Sequence, residues 1–252
     1  MDTTKHMAMT KVPEVTLGFW IVKIAATTLG ETGGDAVSMS MNLGYLVGTI
    51  IFAVIFFAAV SAQIRANRFN PILYWVTIVA TTTVGTTLAD FSDRSLGIGY
   101  AGGSTILLVL LLGSLFTWYK MMGSVSVTTV SSPRAEMFYW VTIMFSQTLG
   151  TALGDWTADT VALGYSGAAI VFGGLLLVLV VAHYWTNISS TILFWAAFIL
   201  TRPLGAALGD FLDKPIDHGG LAMNRYAASI ALLGFILTSL MVFRQRAAKA
   251  AH

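Results

Sequence analysis

Eight apolar stretches, each long enough to cross a lipid bilayer as an α-helix, alternate with short polar segments along the chain. Their approximate bounds are 14–37, 43–66, 71–92, 99–121, 134–157, 164–186, 190–212 and 223–245. The odd-numbered stretches each carry an aspartate near their end, whereas the even-numbered ones are rich in glycine and aliphatic residues. This pattern predicts an all-α integral membrane protein with eight transmembrane helices.

A repeated spacing groups the eight stretches into four units. In each unit a glycine follows a tryptophan by ten residues and an aspartate follows it by fifteen. The four sets are Trp20, Gly30, Asp35; Trp75, Gly85, Asp90; Trp140, Gly150, Asp155; and Trp195, Gly205, Asp210. Two spans per unit return the chain to the same side of the membrane. We therefore predict four parallel two-helix repeats around a central pseudo-symmetric axis.

The repeats fill nearly all of the chain, which we interpret as a single membrane domain of residues 1–252. The repeats cover approximately 13–69, 70–122, 134–187 and 190–246, and each has an aspartate-bearing A span before an aliphatic B span. Residues 123–133, rich in Ser, Thr and Val, are predicted to link the two halves.

Composition and charge narrow the class of protein. With 56% hydrophobic residues, 10% charged residues and a mean hydropathy of +0.77, the chain has too few polar residues to cover a soluble globule. No cysteine is present, which excludes disulfides and thiolate metal ligands. The net charge is only +2, and the basic residues do not cluster into the kind of stripe that binds nucleic acid. Most Lys and Arg residues fall on the side of the chain termini, which predicts both termini in the cytoplasm.

Polar residues share a helix face with the aspartates. Positions seven and four residues before each aspartate are Thr28 and Glu31, Thr83 and Thr86, Thr148 and Thr151, then Pro203 and Ala206. The fourth unit lacks this stripe but carries Arg202 just before its proline. A shared helix face predicts a common polar site with an asymmetric lining.

Ionisable groups inside a membrane are costly, so the recurrent acids indicate a binding site. We predict that Asp35, Asp90, Asp155, Asp210 and Glu31 bind a metal, with Thr28, Thr83, Thr86, Thr148 and Thr151 as polar lining and Lys23 and Arg202 as balancing charges. If all ionise, these seven charged groups leave three negative charges. Carboxylate and hydroxyl ligands favour Mn²⁺, Mg²⁺ or Ca²⁺, and crowded acids also allow protons to exchange against the metal.

Simpler interpretations of the same residues stay open. The aspartates could cap helix ends, and the threonine hydroxyls could bond their own helix backbone. The tryptophans are typical of anchors at the membrane interface, and the glycines of close helix contacts. Asp93, Asp159 and Asp213 follow the four aspartates closely and are expected in solvated loops at the outer mouth.

The repeat resembles a known family. Its ending Leu-Gly-x-x-x-Gly-Asp, at Leu149 to Asp155 and Leu204 to Asp210, is similar to that of a bacterial membrane family described as carrying a repeat of unknown function. The resemblance covers nearly the whole chain and implies an eight-span protein of the bacterial inner membrane, without implying an activity.

Two shorter segments resemble other families. Glu31-Thr-Gly-Gly-Asp35 is similar to the Glu-x-Gly-Asp motif of cation/proton exchangers, although its spacing differs and no basic residue follows Asp35. Ala-Leu-Gly-Asp, ending at Asp155 and at Asp210, is similar to the Gly-x-Gly-Asp motif of intramembrane aspartyl proteases but lacks the first glycine.

These observations favour a transporter of a divalent cation such as Mn²⁺, working in export and coupled to protons, over an enzyme. The alternatives are a structural or sensory membrane protein and, less favoured, an intramembrane aspartyl protease. We expect no prosthetic group, and no nucleotide-binding loop is present to supply ATP drive. The expected partners are the metal ion, protons and the lipid bilayer.

Overall fold

Eight α-helices make up most of the protein in the computed structural model, which describes residues 10–248 and shows no β-strand within them. They are α1 (Leu17–Asp35), α2 (Gly44–Arg65), α3 (Pro71–Asp90), α4 (Gly99–Met122), α5 (Pro133–Asp155), α6 (Gly164–Trp185), α7 (Ser190–Asp213) and α8 (Arg225–Val242). Each predicted apolar stretch therefore contains one helix, and the all-α prediction is confirmed. The predicted linker includes a short 3₁₀-helix, Val127–Thr129.

Local sequence signals set the starts of several helices. The side chains of Thr16, Asn70 and Ser132 each accept a hydrogen bond from a backbone N–H in the first turn of α1, α3 and α5. Proline follows as the first helical residue of α3 and α5, where its missing N–H costs nothing. The α2, α4 and α6 helices begin instead at a glycine with positive φ, which turns the chain sharply after the preceding helix.

The four A helices pack in a closed cycle. Helix α1 contacts α3, α3 contacts α5, α5 contacts α7, and α7 contacts α1. The B helices lie outside the cycle, and each packs mainly against the A helix of the following repeat: α2 on α3, α4 on α5, α6 on α7, and α8 on α1. The fourth repeat thus closes onto the first, so a single repeat cannot bury its A helix alone.

Glycine makes the close approach of the A helices possible. A β-carbon on Gly205 would overlap the side chain of Thr27 and come within 2.9 Å of its backbone carbon, and a β-carbon on Gly30 would overlap the side chain of Thr82. Gly85 faces Gln147, and Gly150 faces Arg202. The repeated glycine is therefore a packing contact between neighbouring A helices, as its spacing favoured.

Aromatic side chains fill the cycle at the end where the A helices begin. The hydroxyls of Tyr74 and Tyr139 form a hydrogen bond of 2.6 Å, and Trp75 and Trp140 are each 2% exposed. Trp195 is also buried and donates from Nε1 to the Val125 carbonyl at 2.9 Å. The expectation that these tryptophans anchor the lipid interface is therefore wrong, because they pack against one another inside the bundle.

The two ends of the described chain meet beside this aromatic cluster. Pro13 and Ala247 form an isolated antiparallel bridge, and the Ala248 N–H donates to the Val12 carbonyl at 2.8 Å. We call this end of the bundle the terminal side, and the opposite end, where the A helices end in aspartates, the loop side. Equivalent residues of the A helices meet at both ends, so these four helices run parallel.

Six of the described helices are long and apolar enough to cross a membrane: α2, α3, α4, α6, α7 and α8. The chain is therefore consistent with a multi-pass membrane protein. Only 11 to 22% of residues in the B helices are buried inside the protein, against 72% and 67% for α3 and α7. The B helices thus present a broad apolar surface of the kind that contacts lipid. Helices α1 and α5 are less apolar because each carries three charged residues.

Candidate functional site

The site is built from residues spaced four apart on the A helices, which place one side chain from each repeat at each level of the cycle. The level four residues before the aspartates holds Glu31, Thr86, Thr151 and Ala206, all of them buried. The level eight residues before holds Thr27, Thr82, Gln147 and Arg202, also buried. The predicted positions four residues before the aspartates therefore come together inside the bundle, and a second buried level lies eight residues before them.

Arg202 connects all four A helices. Its guanidinium is fully buried and donates from Nη2 to Glu31 Oε2 at 2.9 Å and to the hydroxyls of Thr86 and Thr151 at 2.5 Å each. Nη1 donates to the Thr27 carbonyl at 3.3 Å. The guanidinium of this one arginine, from the fourth repeat, thus occupies the space between the A helices of the other three repeats. Gly150 leaves room for the aliphatic part of the Arg202 side chain. Of the five acids that it was predicted to balance, Arg202 forms an ion pair with Glu31.

The four aspartates form the next level toward the loop side, where two basic residues each bridge a pair. Arg94 contacts Asp90 Oδ1 and Asp155 Oδ2, both at 3.0 Å. Lys214 contacts Asp35 Oδ2 at 2.5 Å and Asp210 Oδ1 at 3.0 Å. Burial lowers the pKa of the Lys214 ammonium, but the carboxylates of Asp210 and Asp35 raise it by more, so its pKa lies well above the ordinary value.

A fifth aspartate joins this level. Asp213 is 7% exposed, pairs with Arg225 Nε at 2.8 Å, and offers a carboxylate oxygen within 4.8 Å of those of Asp35 and Asp210. Oxygens of Glu31, Asp35 and Asp90 lie equally close together. Buried carboxylate oxygens at such spacing can share one hard cation.

Two of the three aspartates expected in solvated loops are buried instead. Asp213 belongs to the site, and Asp93 packs against Gly103 at 7% exposure, with neither oxygen hydrogen-bonded within the described part of the chain. Both lie on helical turns that continue the A helices, which brings them back under the bundle surface. Asp159 is exposed as expected and accepts a hydrogen bond from the Tyr100 hydroxyl at 3.2 Å.

The backbone changes geometry directly after three of the aspartates. A π-helical turn follows at Ala36–Ser40, Phe91–Ser95 and Trp156–Thr160. Asp35, Asp90 and Asp155 make no side-chain capping bond to these turns. The helix-cap interpretation therefore does not describe these residues, which pair with basic side chains instead. Single π turns inside helices are frequent at functional sites.

The remaining lining residues differ in what they contribute. The hydroxyls of Thr28, Thr83 and Thr148 each donate to the carbonyl four residues earlier, at 2.8 to 3.0 Å, and so satisfy their own helices. Lys23 is buried, with its ammonium 4.2 Å from the centroid of the Phe198 ring and no ion pair to the acids among the described residues. The structure thus separates Lys23 from the carboxylates that it was expected to balance.

Sequence reasoning missed Arg94, Lys214 and Arg225 as members of the site. In the count of basic residues these three are the ones expected on the side opposite the chain termini. Arg94 and Lys214 nevertheless each follow an aspartate by four residues, the spacing of a helical ion pair. With them included, six carboxylates and four basic side chains make up the site, which leaves two negative charges if all ionise. The site is closer to neutral than the sequence predicted.

The family of the chain agrees with its internal repetition. A model of the family described as Repeat of Unknown Function (DUF347) matches residues 18–69, 73–124, 138–189 and 193–247. The chain therefore belongs to this family, and the resemblance drawn from the Leu-Gly-x-x-x-Gly-Asp endings is confirmed as four tandem repeats. Comparisons with curated proteins and with solved structures found no match.

Proposed function

We propose that the protein is a membrane transporter of a divalent cation, with Mn²⁺ the favoured substrate and protons as counter-ions. The observation that carries this proposal is the convergence of buried carboxylates from the first, second and fourth repeats, whose oxygens lie within 4.8 Å of one another in two overlapping groups of three. Asp155 of the third repeat lies outside these groups but shares Arg94 with Asp90. Oxygen ligands without cysteine favour a hard cation. Four parallel repeats supply equivalent acids to one place, which a purely structural bundle does not require.

The ends of the A helices support a transport path along the cycle. On the loop side, the acids are covered by Arg94, whose side chain is 31% exposed, and by Lys214 and Arg225. On the terminal side, the aromatic cluster closes the interior. Between them, Thr82 Oγ1 and both amide atoms of Gln147 are buried without a hydrogen-bond partner among the described residues. This arrangement supports the proposal of a transporter that is closed at both ends around its site.

The proposal includes eight transmembrane helices around one axis normal to the bilayer. Helices α1 and α5 would cross the membrane in the interior of the bundle, where α2 to α4 and α6 to α8 shield their charged residues from lipid. The site would then lie in the half of the membrane nearer the loop side. The bacterial inner membrane, with both termini in the cytoplasm, is the proposed location because basic residues are concentrated on the terminal side.

The other classes of function explain fewer of these contacts. An aspartyl protease needs two carboxylates that share a proton. Here each pair of aspartates is bridged by a basic side chain, Arg94 or Lys214, and not by a shared proton. A sensory or structural protein has no use for unpartnered polar groups along its interior. We therefore propose transport without an enzymatic reaction or a prosthetic group.

Replacement of one bridged acid tests the proposal. Asp90→Asn should weaken Mn²⁺ binding at least tenfold and abolish Mn²⁺ uptake into proteoliposomes, because it removes a carboxylate that lies in the buried cluster. Asp159→Asn is the control, since it removes an exposed acid of the same mouth and should change neither quantity by more than twofold. Calorimetry in buffers of different ionisation enthalpy counts the protons released on binding. Absence of Mn²⁺, Mg²⁺ and Ca²⁺ binding in wild type would remove the basis for transport.

Orientation can be measured separately in this cysteine-free chain. Ser95→Cys lies exposed on the loop side, and Asn67→Cys lies exposed between α2 and α3 on the terminal side. An impermeant thiol reagent added to intact cells should label only the Ser95→Cys variant. Labelling of Asn67→Cys alone would reverse the orientation and with it the direction of export.

A further inference from the structure

A large apolar cavity opens beside the A helices on the terminal side, away from the acidic site. Its volume is about 750 Å³, within the usual range of small-molecule pockets. Its walls come from α1, α6 and α7 and include Ile24, Leu176, Leu179, Phe194 and Ala197. Since α6 is among the least buried helices of the protein, this cavity opens toward the surface that faces lipid.

The repeats show that this cavity is an exception. Each B helix packs on one A helix, and a groove separates its other side from the next A helix of the cycle. In three of these four grooves, a side chain of the protein itself occupies the space near the terminal side. Trp118 of α4 contacts Trp195 of α7 at 5.8 Å between ring centroids. Gln245, which follows α8, accepts from Trp75 Nε1 of α3 at 3.2 Å.

The third filled groove, between α2 and α5, holds Lys11. Its ammonium contacts Glu136 Oε1 of α5 at 2.6 Å and the Gln63 carbonyl of α2 at 3.0 Å. The fourth groove, between α6 and α1, has no such filling among residues 10–248. The position equivalent to Trp118, nineteen residues after the glycine that starts the B helix, is His183, which is exposed and lines the cavity.

We infer that this groove is a binding site for a phospholipid, whose acyl chain takes the place that Trp118 fills in the neighbouring groove. The apolar walls run from Leu176 to Tyr184 on α6 and from Ser190 to Thr201 on α7. At 1.5 Å per residue the α7 wall is about 17 Å long, enough for most of an extended acyl chain. Polar residues gather at the terminal end of the cavity: Glu14, Thr16, Ser126, His183 and Ser190. The apolar part of this cavity suits the acyl chain of a phospholipid, and its polar end, at one membrane surface, suits the headgroup.

Charge at the polar end selects the kind of headgroup. Glu14 is exposed there and has no ion pair within the described part of the chain, so its carboxylate attracts a cationic group. His183 lies in the same lining and can donate to a phosphate. A zwitterionic headgroup with an ammonium, as in phosphatidylethanolamine, satisfies both residues, whereas an anionic headgroup meets the Glu14 carboxylate unfavourably.

Native mass spectrometry of the purified full chain tests the site. After delipidation and incubation with mixed micelles of phosphatidylethanolamine and phosphatidylglycerol, wild type should retain one phosphatidylethanolamine per chain. His183→Trp, which fills the groove in the manner of Trp118, should reduce this retention at least tenfold. Ile170→Trp adds the same side chain to the exposed face of α6 outside the cavity and should leave retention unchanged.

Ala197→Leu narrows the same cavity from α7 and gives a second test if His183→Trp does not fold. Lipid retention equal to wild type in folded His183→Trp or Ala197→Leu would overturn the inference, as would a wild type that retains no lipid. Preferential retention of phosphatidylglycerol would overturn the assignment of the headgroup. A dimer that His183→Trp dissociates would assign the groove to a second copy instead. None of these outcomes depends on cation binding.

Discussion

Arg202→Gln should be among the most destabilising single substitutions in this protein. The guanidinium is fully buried and neutralises Glu31, so its removal leaves an unpaired carboxylate and two threonine hydroxyls without their donor. Removing one partner of a buried ion pair typically costs about 3–5 kcal/mol. For a chain of this size, that loss lowers the thermal midpoint by about 10 °C in the absence of added cation. Thermal unfolding of purified protein in mild detergent measures the change.

A matched double variant separates the ion pair from simple loss of packing. Glu31→Gln combined with Arg202→Gln removes both charges and should recover at least 2 °C of the loss, since no isolated charge remains in the interior. If the double variant is less stable than Arg202→Gln alone, the pair is not the source of the effect. Added Mn²⁺ should stabilise Arg202→Gln more than wild type, because the free Glu31 carboxylate offers an oxygen that Arg202 otherwise occupies.

The helices were predictable from the sequence because their signals are local. Apolar stretches, a proline at the first helical position and glycine before the B helices mark element boundaries without reference to the rest of the fold. The common face of the acids was equally predictable, because residues four apart on a helix lie together. Glu31, Thr86 and Thr151 therefore meet as their spacing indicated.

Contacts between repeats were not predictable in the same way. The sequence of one repeat does not show that its B helix packs on the A helix of the next repeat, or that Trp75, Trp140 and Trp195 lie inside the bundle. The basic residues of the site were missed for a related reason. Arg94 and Lys214 lie beyond the apolar stretches, where a charge count places them in solvent. The helical turn after Asp90 and the last turn of α7 direct them back to the aspartates, at the spacing of a helical ion pair.

Lys214→Met should show that a basic side chain and a metal compete for the same carboxylates. The ammonium contacts Asp35 and Asp210 with only 10% of its side chain exposed, so the variant leaves two neighbouring buried carboxylates with no basic partner closer than Arg225, whose Nε lies 3.8 Å from Asp35 Oδ2. We expect a loss of about 3–5 kcal/mol without divalent cation. Addition of Mn²⁺ should restore at least half of the loss, with tighter Mn²⁺ binding than in wild type.

Lys120→Met is the control for this substitution, because Lys120 is exposed at the end of α4 and should contribute less than about 1 kcal/mol to stability.

The pKa of Lys214 is raised in the folded protein. The contribution of Lys214 to stability is therefore fully present below the ordinary lysine pKa and is lost only as the pH rises through the raised pKa. The stability difference between wild type and Lys214→Met should therefore persist from about pH 7 to pH 9, since an ordinary lysine pKa is about 10.4. Loss of that difference by pH 9 would mean that Lys214 is neutral beside the aspartates. A Lys214→Met protein that is destabilised equally with and without Mn²⁺ would show that no cation takes its place, and would separate the ion pairs of the loop side from transport.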